Sequence, residues 1–171
     1  EGLKVTALMY QKSAEKFIGF LREINPESGV DVIAIEDIHP GIGIEVSRRI
    51  ESGEFVAILA DRLGPGALER SIEVDFLGDK ALLPEGPFAL SVVLDCPVLT
   101  FFSSYSEEKK CYEAYWDYLH IPPPQGEFSG RDGRKKRIKE LAVEYAKRLE
   151  ARCVDNPYQW FNFYDFWKIE K

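Results

Sequence analysis

Two rhythms of hydrophobic and polar residues run along this chain. Leu3 to Met9 (LKVTALM) is rich in strand-forming residues. After it, Ala14, Phe17, Ile18, Leu21 and Ile24 recur at three- and four-residue intervals, which predicts an amphipathic helix with one buried stripe. Asn25-Pro26 stops that helix, because proline cannot continue the helical ladder. Val30 to Ile35 (VDVIAI) reads as a strand. Gly41 to Ser52 reads as a helix, with Ile44, Val46 and Ile50 inward and Arg48, Arg49 and Glu51 mostly outward, closed by Gly53. Phe55 to Ala60 (FVAILA) is nearly continuously apolar, the pattern of a central strand covered on both faces. The order strand, helix, strand, helix, strand predicts an α/β fold: a mostly parallel sheet flanked by helices.

Beyond residue 60 the punctuation changes. Asp61 to Arg70 (DRLGPGALER) is a loop marked by glycine and proline. Ser71 to Phe76 alternates as SIEVDF, and Gly78-Asp79 turns it toward Ala81 to Leu83, a short excursion at the sheet edge. Pro87 to Leu94 should be a short helix entered through Pro84-Glu85-Gly86. Val98 to Ser103 and the aromatic Cys111 to Leu119 should be strands, with the proline run of residues 121–126 as a connector. Arg131 to Arg152 is the longest predicted helix, its stripe made by Ile138, Leu141, Ala142, Tyr145 and Leu149. Seven aromatic side chains crowd the stretch from Tyr158 to Trp167. They can cap the end of the sheet or rest at a lipid interface.

The 171 residues suit a single core, and the expectation is one domain over residues 1–171. The formal charge of −7 gives nucleic-acid binding no support. Three scattered cysteines, Cys96, Cys111 and Cys153, argue against a disulfide scaffold and fit reduced thiols in a cytosolic-type compartment. No apolar run approaches the ~20 residues that cross a bilayer.

Asp61-Arg62 forms the best local candidate site. Ligands of open α/β sheets bind beyond strand ends, and an arginine fork can clamp a carboxylate or phosphate directionally. The same pair could equally be an internal brace of the loop. Glu85-Gly86 is a second candidate, where the unpaired amides of a helix start accept negative charge; a plain helix cap is the other reading. Gly41 and Gly43 do not complete a dinucleotide or Walker pattern. His39 and His120 lack partners at metal-ligand spacing, and no nucleophile elbow surrounds any serine. The cations of Arg131 to Arg152 read first as a solvated face, and otherwise as a surface for an anionic carrier or membrane.

Several landmarks together resemble the lysophospholipid acyltransferase superfamily, in the branch of the bacterial lipid A late acyltransferases. They are the run from Gly53 to Arg62 (GEFVAILADR), Val74-Asp75-Phe76-Leu77-Gly78, Leu83 to Leu90 (LPEGPFAL), Cys96-Pro97-Val98, and the closing Asn156 to Tyr164 (NPYQWFNFY). The resemblance implies transfer of a fatty acyl group from acyl carrier protein, or from coenzyme A, to a hydroxyl or amine of a lipid or polar acceptor, with no metal or redox cofactor. It implies substrate-binding or supporting roles for Asp61, Arg62, Glu85 and Gly86, and a cytoplasmic placement, including a peripheral one on the inner face of the cytoplasmic membrane. The alternative is a non-catalytic α/β binding or structural domain.

One element of that pattern is missing. The family's base is a histidine in His-x4-Asp/Glu, in which the carboxylate orients the ring. Ile44 stands where His39 would need its acid, and Pro124 where His120 would. The motif normally lies upstream of the strand at Leu3 to Met9. The sequence is therefore expected to be the C-terminal part of such an enzyme, partnered by a missing N-terminal segment, with no catalytic residue of its own and little transfer activity alone.

Overall fold

The computed structural model describes residues 3–24, 30–35, 40–64, 67–122 and 130–167. The predicted stop at Asn25-Pro26, His39 and most of the proline run lie outside them. The chain forms two compact units, Glu1–Ala60 and Asp61–Lys171.

In the first unit, β1 (Val5–Tyr10), α1 (Gln11–Ile24), β2 (Val30–Ile35), α2 (Pro40–Glu51) and β3 (Phe55–Ile58) follow the predicted order. The strands are parallel and lie in the order β2-β1-β3. β3 is thus not the central strand its apolar run suggested. The earliest strand, β1, takes the middle and buries Thr6 and Leu8, while β3 leaves Phe55 exposed. Of the expected inward stripe of α2, Val46 is buried but Ile44 is 73% exposed. Ile24, expected in the buried stripe of α1, is the last residue of that helix and is exposed.

Gly53, at φ +80°, closes α2 as expected. Its amide donates to the Ile50 carbonyl at 2.9 Å and the Glu54 amide to that of Arg49 at 3.0 Å, the paired closure that a left-handed residue makes possible. Arg48 does face outward, toward Glu45. Arg49 instead turns in. It donates to the buried Thr6 hydroxyl at 3.1 Å and pairs with Asp31 at 2.7 Å, Glu45 at 2.9 Å and Glu54 at 3.2 Å, so one guanidinium braces β1, β2 and the residue just before β3 to α2. Hydrogen bonds from Arg48 and Arg49 hold the partly exposed Glu45 carboxyl down at about 2.

The second unit corrects the expectation of a mostly parallel sheet, for its two strand pairs are antiparallel hairpins. β4 (Ser71–Phe76) pairs with β5 (Asp79–Pro84), and β6 (Val98–Ser106) with β7 (Cys111–His120). The connections dictate this, since a short turn can join only antiparallel neighbours. Leu77 and Gly78 both have positive φ, +53° and +88°, as a two-residue hairpin turn requires. The alternation of SIEVDF buries Val74 and Phe76 on one face. Between the hairpins lies α3 (Glu85–Leu94), and after them comes α4 (Arg131–Asp155).

α4 organises this unit. Its stripe of Ile138, Leu141, Ala142, Ala146, Leu149 and Cys153 is buried, with α3 and β4 packed against the helix. Its arginines are not simply a solvated face. Arg148 donates to the Tyr118 carbonyl at 3.0 Å, Arg152 lies 4.7 Å over the Tyr115 ring, and Arg137 reaches His120. After α4 the chain turns back along the hairpins. The Gln159 side chain accepts from the Tyr105 amide and donates to its carbonyl, at 2.6 and 2.9 Å, taking the place of a paired strand. Trp160 and Phe166 then close over Phe76 at 5.4 and 5.3 Å, and the Trp167 indole donates to the Phe76 carbonyl at 3.2 Å.

Candidate substrate-binding site

Asp61 and Arg62 open the second unit, and each other's side chain is their nearest charged partner. The Arg62 Nε and Nη2 groups donate to one oxygen of Asp61, Oδ2, at 3.0 and 2.8 Å. This bond raises the Arg62 pKa further above its ordinary value, chiefly through the carboxylate that accepts it. The guanidinium is half exposed, whereas the second Asp61 oxygen, Oδ1, is buried without a hydrogen-bond partner among the described residues. A carboxylate oxygen in that condition retains an unused acceptor, and the outer edge of the guanidinium retains unused donors.

Two tyrosines share this electrostatic environment. Burial, with the Asp61 charge second, drives the Tyr145 phenol far above its usual range. Burial also raises Tyr164, with Arg62 opposing and Asp61 adding to the shift. Both phenols therefore stay protonated. Tyr145 sits on the α4 stripe with its ring 5.7 Å from Phe88 and 6.0 Å from Phe102, so α3, α4 and β6 jointly fix it. Sequence reasoning placed Tyr145 only in the core stripe; its three- and four-residue spacing marked burial and carried no sign of the neighbouring ion pair.

Glu85 and Gly86 occupy the first turn of α3, after Pro84. No side chain caps this start, and Glu85 places its charge where the helix dipole favours an anion. These two residues make no described contact with Asp61 or Arg62. The link runs through the helix: Phe88, one turn on, packs against Tyr145. Among the described contacts, the two candidate sites do not form one cluster.

His120 is buried at the end of β7. Arg137 Nη2 lies 3.1 Å from its Nδ1, and since arginine can only donate, Nδ1 accepts and the proton sits on Nε2. Burial and the Arg137 charge lower its pKa. A neutral ring locked by an arginine, with no carboxylate hydrogen-bonded to it among the described residues, is poorly suited to accept a proton in catalysis.

Along the chain these landmarks follow the order that the resemblance to an acyl-group transferase implies, on elements of an α/β fold. Residues 26–169 match the bacterial lipid A biosynthesis acyltransferase family, and the chain belongs to that family. Its general activity is therefore of the acyltransferase type. No curated protein matches the chain. Among the described residues, no helix is long and apolar enough to cross a membrane.

Proposed function

We propose that this chain is the substrate-binding portion of an enzyme that moves a fatty acyl group from a thioester, on acyl carrier protein or coenzyme A, to a hydroxyl or amine of a lipid or polar acceptor at a membrane surface. Both units then belong to one acyltransferase domain. The observation that carries the reading is the family match, joined to a half-exposed Arg62 aimed by Asp61.

Arg62 holds an anionic group of a substrate through its outer donors, and Asp61 fixes the plane of the fork. Tyr145 and Tyr164 line the same place with neutral phenols, and Glu85 and Gly86 support the neighbouring helix start. In acyl transfer the acceptor must lose a proton as its oxygen or nitrogen attacks the thioester carbonyl, and the developing oxyanion needs donors. His120 is unsuited to the proton step and His39 has no acid at the required spacing. The base is therefore to be sought outside these 171 residues, in a His-x4-Asp/Glu segment of the same protein.

Incubating the full-length protein with an isotopically labelled acyl thioester and candidate lipid acceptors tests this. Mass spectrometry should find the label on an acceptor hydroxyl or amine. A protein that moves no acyl group from either thioester to any lipid or polar acceptor would sink the proposal.

A further inference from the structure

The first turns of α4 are charged in a way that the helix itself does not need. Residues 131–139 hold six cations, Arg131, Arg134, Lys135, Lys136, Arg137 and Lys139, and one acid, Asp132. The start of a helix is where its dipole disfavours positive charge. The whole chain carries −7, so the cations are a local reversal of the protein's sign.

Geometry sharpens the contrast. Arg131 and Arg134 continue, at three- and four-residue spacing, the same stripe that is apolar and buried from Ile138 onward. There the stripe turns cationic and exposed. Arg137 is engaged with His120 and Glu140, and Lys136 lies 4.0 Å from Glu140. The side chains of Arg131, Arg134, Lys135 and Lys139 are exposed and make no hydrogen bond or ion pair with a described residue. Arg131, Lys135 and Lys139 form a row whose members rise about 6 Å from one to the next. Carboxylates four residues apart on a facing helix have that same spacing.

We infer that this ridge is a docking surface for an acidic protein, and, resting on the acyl-transfer reading above, that the partner is the carrier protein that presents the acyl thioester. Two observations favour a small acidic protein over an anionic bilayer. A membrane-binding helix sets exposed apolar residues beside its cations, whereas the one large apolar residue in this stretch, Ile138, is buried. A bilayer also confronts a whole side of a net-acidic molecule. A partner docked on the ridge feels mainly the charges within a screening length of about 8 Å.

The test is a titration of the full-length protein with holo acyl carrier protein, run beside cosedimentation with vesicles containing phosphatidylglycerol. Parent protein is compared with Arg134→Glu/Lys135→Glu and with the milder Lys135→Gln/Lys139→Gln, each first shown to keep the parent's melting temperature. Reversal should weaken carrier binding about tenfold or more, mainly through slower association, and added salt should weaken the parent more than the variant. The milder pair should fall between, and keeps the test valid if reversal unfolds the protein. Carrier binding unchanged in both variants, no carrier binding by the parent, or loss confined to the vesicles would overturn the inference. Binding needs no turnover. A parent that binds the carrier yet transfers no acyl group would therefore count against the proposed activity and leave the docking surface standing.

Discussion

Replacing Asp61 with asparagine separates a functional ion pair from a structural one. The change keeps the shape of the side chain and removes its charge, so the two charge-assisted Arg62 bonds of 3.0 and 2.8 Å lose their carboxylate acceptor and retain at best a neutral amide oxygen. Such bonds contribute about 1.5–3 kcal/mol when well shielded. Arg62 is 50% exposed, and solvent screening reduces the pair to about 0.2–1 kcal/mol. Against that loss, the buried and unpartnered position of Oδ1 passes from a charged carboxylate to one end of a neutral amide, which returns part of the desolvation penalty. The expected net change is below about 1 kcal/mol, a shift of about 4–8 °C at most for a unit of this size. Turnover should respond more. An arginine no longer held in plane loses orientation toward the substrate, and a tenfold to hundredfold drop in kcat/KM corresponds to about 1.4–2.7 kcal/mol of lost transition-state binding. The assay is acyl transfer by the full-length variant beside its thermal melt. Unchanged kcat/KM would refute the positioning role. A fall in melting temperature beyond about 10 °C that takes activity with it would show that the pair chiefly holds the loop together.

Two further outcomes follow from the second unit. Phe76 is 1% exposed and lies between Trp160 and Phe166, so Phe76→Ala should destabilise the unit by about 3–5 kcal/mol in urea unfolding and shift tryptophan emission to the red; a change below ~1 kcal/mol would mean the C-terminal aromatics do not close on it. His120 has a lowered pKa in the fold, so the unfolded chain binds its proton first as pH falls. Stability should therefore decline below the ordinary histidine range and toward the folded value, and His120→Gln should flatten that part of the pH profile; an unaltered profile would contradict the buried, neutral ring.

The sequence was most readable where one local rule decides the outcome. Gly53 closes α2 because a left-handed residue was needed there, and SIEVDF became a one-faced strand because period-two alternation admits little else. The fold departs from the local pattern where the outcome depends on neighbours. The apolar run of β3 spoke of burial but could not say which strand takes the centre, and β1 took it. The parallel order of the first strands does not extend beyond residue 60: the turn expected at Gly78-Asp79 closes as a tight hairpin on Leu77-Gly78. Helical spacing puts Arg49 on the outer face, yet Thr6 and Asp31, distant in sequence, and Glu54 beyond the helix end draw it inward. The site was legible to the same extent. Adjacency gave the Asp61-Arg62 pair, but only folding brings Tyr145 and Tyr164 into its field. The linkage of Glu85 to that region through Phe88 is likewise tertiary.

The most direct trial of the account compares Arg62→Ala and Arg62→Lys in acyl transfer by the full-length protein, with melting followed in parallel. If Arg62 grips an anionic substrate group with its fork, alanine should lower kcat/KM about a hundredfold at a nearly unchanged melting temperature, and lysine should restore only part of it, having charge without the planar fork. An alanine variant that transfers acyl groups at the parent rate would contradict the account.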